Sequence, residues 1–216
     1  MPWSIPIFGM QFIWVGDLHG WVGTYEVTNA EYRVFKAEHD SGTVAEQSLN
    51  ADRQPVVDIT YDDAVAFAEW LTTTERKAGR LPDDYRYRLP DGDEWTTIAQ
   101  CGDSRRYPWG DTWPPTCGNY SDQSSALPYK IDGYRDASPV SCPVDDTKPN
   151  AWDIHGLAGN AWEWTSESHR RRSRYLRGAA WDSHSQATLR CRYRRKALTS
   201  FKSKYAGFRV MLGEDG

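Results

Sequence analysis

Residues 103–160 show neither the 3.6-residue period of an amphipathic helix nor the two-residue alternation of a strand, and this stretch constrains everything around it. Pro, Gly, Asp, Asn and Ser dominate it, with aromatic residues scattered among them, which argues for long ordered loops. Loops of that length inside a compact domain need an internal tie, either a bound ion or buried side-chain hydrogen bonds. The chain also carries 11 Trp and 12 Tyr but only 39% hydrophobic residues in 216, so bulky rings must fill a core that aliphatic side chains cannot. Together these features favour a loop-rich interior over a helical bundle, in one domain spanning residues 1–216.

Regular structure is expected on either side of the loops. Met10–Val15 is a short apolar run, and residues 21–27 alternate as a second strand. Thr28 with Glu31 three residues on forms a capping box that opens a helix whose inward face is Tyr32 and Phe35. A second box, Thr60 with Asp63, opens Tyr61–Lys77; Ala64, Phe67, Ala68, Trp70 and Leu71 recur at helical spacing and Gly79 is the stop. A third start, Asp91 with Glu94, places Trp95, Ile98 and Ala99 inward and ends at Gly102. Short strands return at 161–165, 175–181 and 207–212.

Net charge conceals an asymmetry. Residues 168–209 hold 13 of the 26 Lys and Arg and a single acid, Asp182, leaving 29 of the 30 acids elsewhere. Either the segment is a basic surface for an anionic partner, or its arginines dock on an acidic body of the same domain. Cys101, Cys117, Cys142 and Cys191 lack metal-ligand spacing, so zinc is not expected and reduced structural thiols are favoured over disulfides. The start of the chain has no charged segment followed by an apolar run, and no stretch is apolar enough to span a bilayer. The cytoplasm or a virion is therefore the expected setting.

Six segments then fall into one order: Tyr25-Glu26-Val27-Thr28-Asn29; Pro55-Val56-Val57; Tyr87-Arg88-Leu89-Pro90 through Glu94-Trp95; Tyr107-Pro108-Trp109-Gly110-Asp111; Gly159-Asn160-Ala161-Trp162-Glu163-Trp164; and Leu176-Arg177-Gly178 to Trp181 with Gly207-Phe208-Arg209. Over nearly its whole length the chain resembles the formylglycine-generating enzyme (sulfatase-modifying factor) family. The resemblance implies an α+β, C-type-lectin-like fold, with two main helices around a small twisted antiparallel sheet and most of the chain in loops. The residues agree with a scaffold: the guanidinium forks of Arg177, Arg190, Arg194 and Arg209 can each satisfy several loop carbonyls. Gly159 and Gly178 suit close approaches of backbone, and Trp162, Trp164 and Trp181 suit the core.

The same resemblance argues against catalysis. The enzymes of this family place two cysteines shortly after the strand that ends at the Trp181 position, where they bind copper and handle the substrate thiol; here those places hold Ser183 and Thr188. A hydroxyl neither holds copper(I) nor exchanges with a substrate cysteine, so no copper and no catalytic residue is expected. Cys191, between Arg190 and Arg192, is the one sulfur nearby, with cations placed to lower its pKa, but a lone thiol leaves the copper pair incomplete. The family's sulfoxide synthases draw histidines from a separate iron-binding domain, whereas His19, His39, His155, His169 and His184 are dispersed.

Calcium is implied at one of two family sites. The first is matched by Asn119, the Tyr120 carbonyl, Asp132 and the Tyr134 carbonyl, hard oxygens of the kind calcium prefers, although an Asx-turn without any ion uses the same residues. The second would take the Gly159 and Ala161 carbonyls, the Glu163 carboxylate and an Asn or Asp side chain where this chain has Gly156, so it is not expected to form.

What remains is a run of mixed polar and aromatic residues without period: Asp182, Ser183, His184, Cys191, Tyr193, Arg195, Lys196, Ser203 and Tyr205. Such side chains combine apolar area with hydrogen bonding and suit a binding surface for a protein or other macromolecular ligand. The arrangement is similar to the variable proteins of diversity-generating retroelements, which implies a non-enzymatic receptor or adhesion domain that diversifies positions within 168–209. Two alternatives stay open: an oxidase acting on sulfatase cysteine, and a nucleic-acid binder using Arg170, Arg171, Arg172 and Arg174. The latter is disfavoured because no stacking platform is evident.

Overall fold

Three capping boxes set where the helices begin. In the computed structural model, which describes residues 3–5 and 9–214, Thr28 caps α1 (Asn29–Phe35), Thr60 caps α2 (Tyr61–Lys77) and Asp91 caps α3 (Gly92–Gln100). In each, the cap side chain accepts the N3 amide and the N3 carboxylate accepts the cap amide, so two otherwise orphaned donors are satisfied. α3 stops where Cys101 turns left-handed at φ 52°, followed by Gly102.

Two sheets and a small hairpin complete the architecture. The first sheet runs β1 (Trp3–Ile5), β2 (Met10–Val15), β3 (Gly20–Gly23), β11 (Met211–Glu214) and β6 (Tyr85–Arg88), every neighbour antiparallel. The second runs β10 (Ala206–Gly207), β7 (Trp162–Arg170), β8 (Ser173–Arg177) and β9 (Arg195–Leu198); β10 lies parallel to β7, so this sheet is not wholly antiparallel. β4 (Thr43–Val44) and β5 (Gln47–Ser48) form the hairpin.

Pairing moves several expected strand ends. β3 stops at Gly23, after which Thr24 donates to the Gln11 carbonyl and Val27 to that of Phe208 outside the ladder. β8 stops at Arg177, because Gly178 (φ 94°) and Ala179 (φ 65°) turn the chain into the core. The strand expected over 207–212 splits into β10 and β11, which belong to different sheets, and Arg209 lies between them.

Aromatic rings fill the interior as the composition demands. Trp95, Trp164, Trp181, Tyr32, Tyr107, Tyr120, Phe12, Phe67 and Phe208 are fully buried, each removing roughly 150–250 Å² from water. Phe67 of α2 stacks on Tyr32 of α1 (5.6 Å, 21°) and meets Phe208 edge-on at 5.4 Å, which joins both helices to the C-terminal segment. All four cysteines are free thiols. Among the described residues no helix is long and apolar enough to cross a membrane.

Side-chain hydrogen bonds tie the long loops. Asn160 accepts from the Cys142 amide (2.9 Å) and Asn119 Nδ2 (3.1 Å) and donates to Glu26 (3.1 Å). Asp122 accepts the amides of Ser124, Asp136 and Ala137; burial opposes its charge, but these bonds hold the carboxyl below its ordinary range. At the crossing of residues 118–120 with 158–160, a Cβ on Gly159 would collide with the Asn119 carbonyl, the close approach its place in the motif suggests.

Candidate functional site

Beyond Gly178 the chain dives to Trp181, whose amide donates to the Asn160 carbonyl (3.2 Å), and then emerges as the segment proposed to bind. The nine candidate residues do not share one environment. His184 and Lys196 are exposed; Asp182, Tyr193, Arg195, Ser203 and Tyr205 are half-buried; Ser183 and Cys191 are buried. Cys191 therefore leaves the surface altogether. It packs with Val15, Val22, Trp95, Ile98, Ala99, Ile154 and Leu157 in an apolar cluster, and its amide donates to the Arg106 carbonyl (2.9 Å).

Tyr193, Arg195 and Tyr205 stand on a floor of rings. The Arg195 guanidinium lies 5.6 Å from the Trp162 ring and 5.8 Å from that of Phe201. Tyr193 meets Trp162 at 6.0 Å and Tyr205 meets Trp181 at 4.9 Å. Burial raises the Asp182 carboxyl above its ordinary range, against the hydrogen bond from Ser183 (3.2 Å) and the opposing charge of Arg195. The same kind of burial, with the nearby Asp182 charge, raises the Tyr205 phenol. The indole N–H groups of Trp162 and Trp181 are buried beneath and have no partner. His184 stacks on Tyr129 (5.2 Å, 21°), an exposed ring supplied by the 119–140 loop. Tyr129 and Phe201 were not foreseeable here, because neither has a local pattern and each joins the face only through tertiary packing.

At Ser183 and Thr188, where the resemblance leads one to expect thiols in the family's enzymes, the hydroxyls serve the backbone. Ser183 Oγ accepts the Ala180 amide (3.1 Å), and Thr188 Oγ1 donates to the Ser185 carbonyl (2.8 Å). Although arginines flank Cys191 in sequence, burial pushes its thiol up to about 12, the reverse of the activation those neighbours suggest.

The calcium residues are mixed in placement. Asn119 is buried with Oδ1 lacking a partner, while its Nδ2 donates to the Val140 carbonyl (2.9 Å). Asp132 is exposed, and the Tyr134 amide donates to the Ile131 carbonyl (3.4 Å) in a backbone turn. Asn119 and Tyr134 line a polar cavity of about 360 Å³ that Asp136 also enters. Asp136 accepts the Tyr120 amide (2.9 Å), and burial raises its carboxyl to about 6.

At the second family position, protein groups fill the space. Glu163 and Arg209 form a fully buried fork (2.6 and 2.8 Å), and Trp95 Nε1 donates to the same carboxylate (2.8 Å). Arg209 also donates to the Gly23 (3.0 Å) and His155 (2.7 Å) carbonyls. A Cβ on Gly156 would collide with the Glu26 carboxylate, so the missing side chain at 156 is the room that Glu26 uses. Burial raises Glu26 to about 7, with Arg209 opposing and Glu163 reinforcing that shift.

The arginines expected to be structural divide. Arg177 and Arg209 are buried, whereas Arg190 is exposed and the Arg194 side chain is 52% accessible.

Comparison with known proteins places this geometry. A family model described as a sulfatase-modifying factor enzyme 1-like domain matches residues 16–213. The formylglycine-generating enzyme of Thermomonospora curvata is 33% identical over 118 residues, 52% of this chain and 33% of that protein. The inactive C-alpha-formylglycine-generating enzyme 2 of Mus musculus is 32% identical over 132 residues, 59% of this chain and 37% of that protein. The chain thus spans about a third of the length of these curated relatives. The solved structure of Treponema denticola variable protein 1 aligns with a TM-score of 0.71 and 15% identity, covering 98% of each chain. The α+β, C-type-lectin-like fold implied by the motifs is the fold observed.

Proposed function

This chain belongs to the sulfatase-modifying factor enzyme 1-like domain family, and we propose that within it the chain is a non-enzymatic ligand-binding protein of receptor or adhesion type. One observation carries the reading: Ser183 and Thr188 stand where the family's oxidases need paired thiols, and the nearby Cys191 is sealed in the core. The residues left for work are Asp182, His184, Tyr193, Arg195, Lys196, Ser203 and Tyr205, a rigid aromatic floor under polar tips of the kind that macromolecular interfaces use. A relative named as inactive supports the non-enzymatic reading, and a structural neighbour named as a variable protein supports the reading that this face is diversified by a retroelement.

The competing oxidase draws support from relatives named as formylglycine-generating enzymes. Incubating the purified chain with copper(I) and a cysteine-containing sulfatase peptide separates the two: neither stoichiometric copper nor aldehyde is expected, and turnover would overturn the binding reading. The diversified version is tested on the encoding DNA, where a near-repeat of the last part of the gene differing only at adenines should lie beside a reverse transcriptase gene.

We propose that calcium would be held by Asn119, whose buried Oδ1 has no partner, with the ligands that the resemblance implies, Asp132 and the Tyr120 and Tyr134 carbonyls. Bound there, the ion would supply structural cross-linking of the loops. Calcium should raise the melting temperature of the chain, and Asn119→Ala should abolish the increment.

A further inference from the structure

The outer end of the second sheet has an open edge. β9 pairs with β8 on one side only, and its register sets Tyr175 opposite Lys196 and Ser173 opposite Leu198. Thr199 donates to the Arg172 carbonyl (3.0 Å) one step further along. Bonded pairs therefore fall at alternate positions, and the backbone N–H and C=O of Lys196 face away from β8.

Cations ring this edge. Tyr175 OH meets His169 Nδ1 at 2.9 Å, and the Arg194 guanidinium lies 4.9 Å over the Tyr175 ring. Arg170, Arg194 and Lys196 all act on His169. Arg171 and Arg172 are exposed at the hairpin tip, and Leu198 is 63% exposed beside them. The hairpin's two acids are both taken: Glu163 by Arg209 (2.6 Å), and Glu167 by Arg177 (2.9 Å) and Arg194 (2.7 Å). Arg170, Arg171, Arg172 and Lys196 are thus left without an ion pair among the described residues, beside a strand on which the Lys196 N–H and C=O face outward, while the Leu198 carbonyl accepts the Phe201 amide (2.9 Å).

We propose that the β9 edge, flanked by Arg170, Arg194 and Lys196, is a docking site for an extended acidic segment of a partner protein, which adds as a further strand. Backbone pairing along β9 supplies register, carboxylates opposite the cations supply selection, and Leu198 offers an apolar contact. Nucleic acid fits less well: Arg194 and His169 already occupy the Tyr175 ring, so no open face remains on which bases can stack. Lys196 and Arg195 also belong to the ring-floored face around Asp182, but the edge is read from backbone pairing and would stand even if that face were inert.

The test titrates the full chain with a labelled peptide alternating Glu and Val, a Lys and Val counterpart, a backbone N-methylated Glu and Val peptide, and a single-stranded oligonucleotide. The acidic peptide should bind best, about tenfold more weakly to Lys196→Glu or to the Arg170→Glu, Arg172→Glu pair, and more weakly still at high salt. N-methylation should weaken it as well. Unchanged melting temperatures would show that the variants fold. The proposal fails if the basic peptide or the oligonucleotide binds as tightly, if N-methylation has no effect, or if the edge instead pairs with a second copy and Lys196→Glu abolishes a dimer.

Discussion

Arg209 with Glu163 and Arg194 with Glu167 are ion pairs of nearly equal length, 2.6 and 2.7 Å, within the same C-terminal stretch. Their side chains are 0% and 0% accessible in the first pair, 52% and 21% in the second. Distance says little about what each pair does; surroundings decide it. In the first, removing either partner strands a charge where water cannot reach. In the second, water and salt share the charge, and the pair contributes little to stability while leaving cations on display. The basic segment therefore divides: some of its arginines dock on the domain itself and others are left exposed. Arg209 docks on the buried Glu163 and on carbonyls, Arg177 on the half-buried Glu167 and on carbonyls, while Arg170, Arg171, Arg172, Arg190, Arg192 and Lys196 are exposed.

The sharpest way to break this contrast is to delete each arginine without losing its volume. Arg209→Met leaves Glu163 and Glu26 buried without their cation and should cost about 3–5 kcal/mol in urea denaturation. Arg194→Met should cost less than about 1 kcal/mol. Similar losses at the two sites would show that burial does not divide the segment as argued.

A smaller effect is expected at the neighbour of the buried pair. Gly156→Asn inserts the side chain that the second family calcium site uses, but its Cβ meets the Glu26 carboxylate. A loss of roughly 1–3 kcal/mol is expected from such overpacking, and Glu26→Ala added to it should recover part of the loss. Non-additivity measured in that double-mutant cycle would show that the two residues share one space.

The third prediction uses proton linkage within the same buried cluster. Glu26 titrates near 7 in the folded chain, above its ordinary value of 4.5, so the folded state binds its proton more tightly. Stability from this group is full below about 4.5 and is lost as pH rises through about 7. Glu26→Gln should flatten that part of the profile, read as the difference in melting temperature between variant and parent from acid to neutral pH. A difference independent of pH would mean that folding does not shift the titration of Glu26.

The same division governs what could be read in advance. Helix starts were legible because capping boxes are local: Thr28 with Glu31, Thr60 with Asp63 and Asp91 with Glu94 all form as their spacing suggests. The core rings and the crossing at Gly159 were legible for the same reason, each following from residue type and motif. β6 and β9 were not anticipated as strands, since charged residues on them blur the alternation and only β11 and β8 supply the pairing. Cys191 was misplaced because its flanking arginines point outward while the residue itself turns inward, a distinction that depends on the loop's path. Tyr129 reached the face from a distant loop, and nothing local marks it.

The smallest expected effect lies at the hairpin tip. Arg171 and Arg172 occupy the connection between β7 and β8, both exposed, where surface substitutions normally shift stability by less than about 0.5 kcal/mol. Replacing both by Ser should therefore leave the denaturation midpoint nearly unchanged. Removing two like charges from a crowded cationic end could even relieve repulsion, so a slight stabilisation at low salt that vanishes at high salt is the expected sign. A clear loss of stability would move these arginines into the class of Arg209, and the hairpin would then belong to the scaffold. If stability holds while binding of an acidic peptide weakens, the two classes of arginine separate completely, because the exposed charges then contribute to recognition without holding the fold.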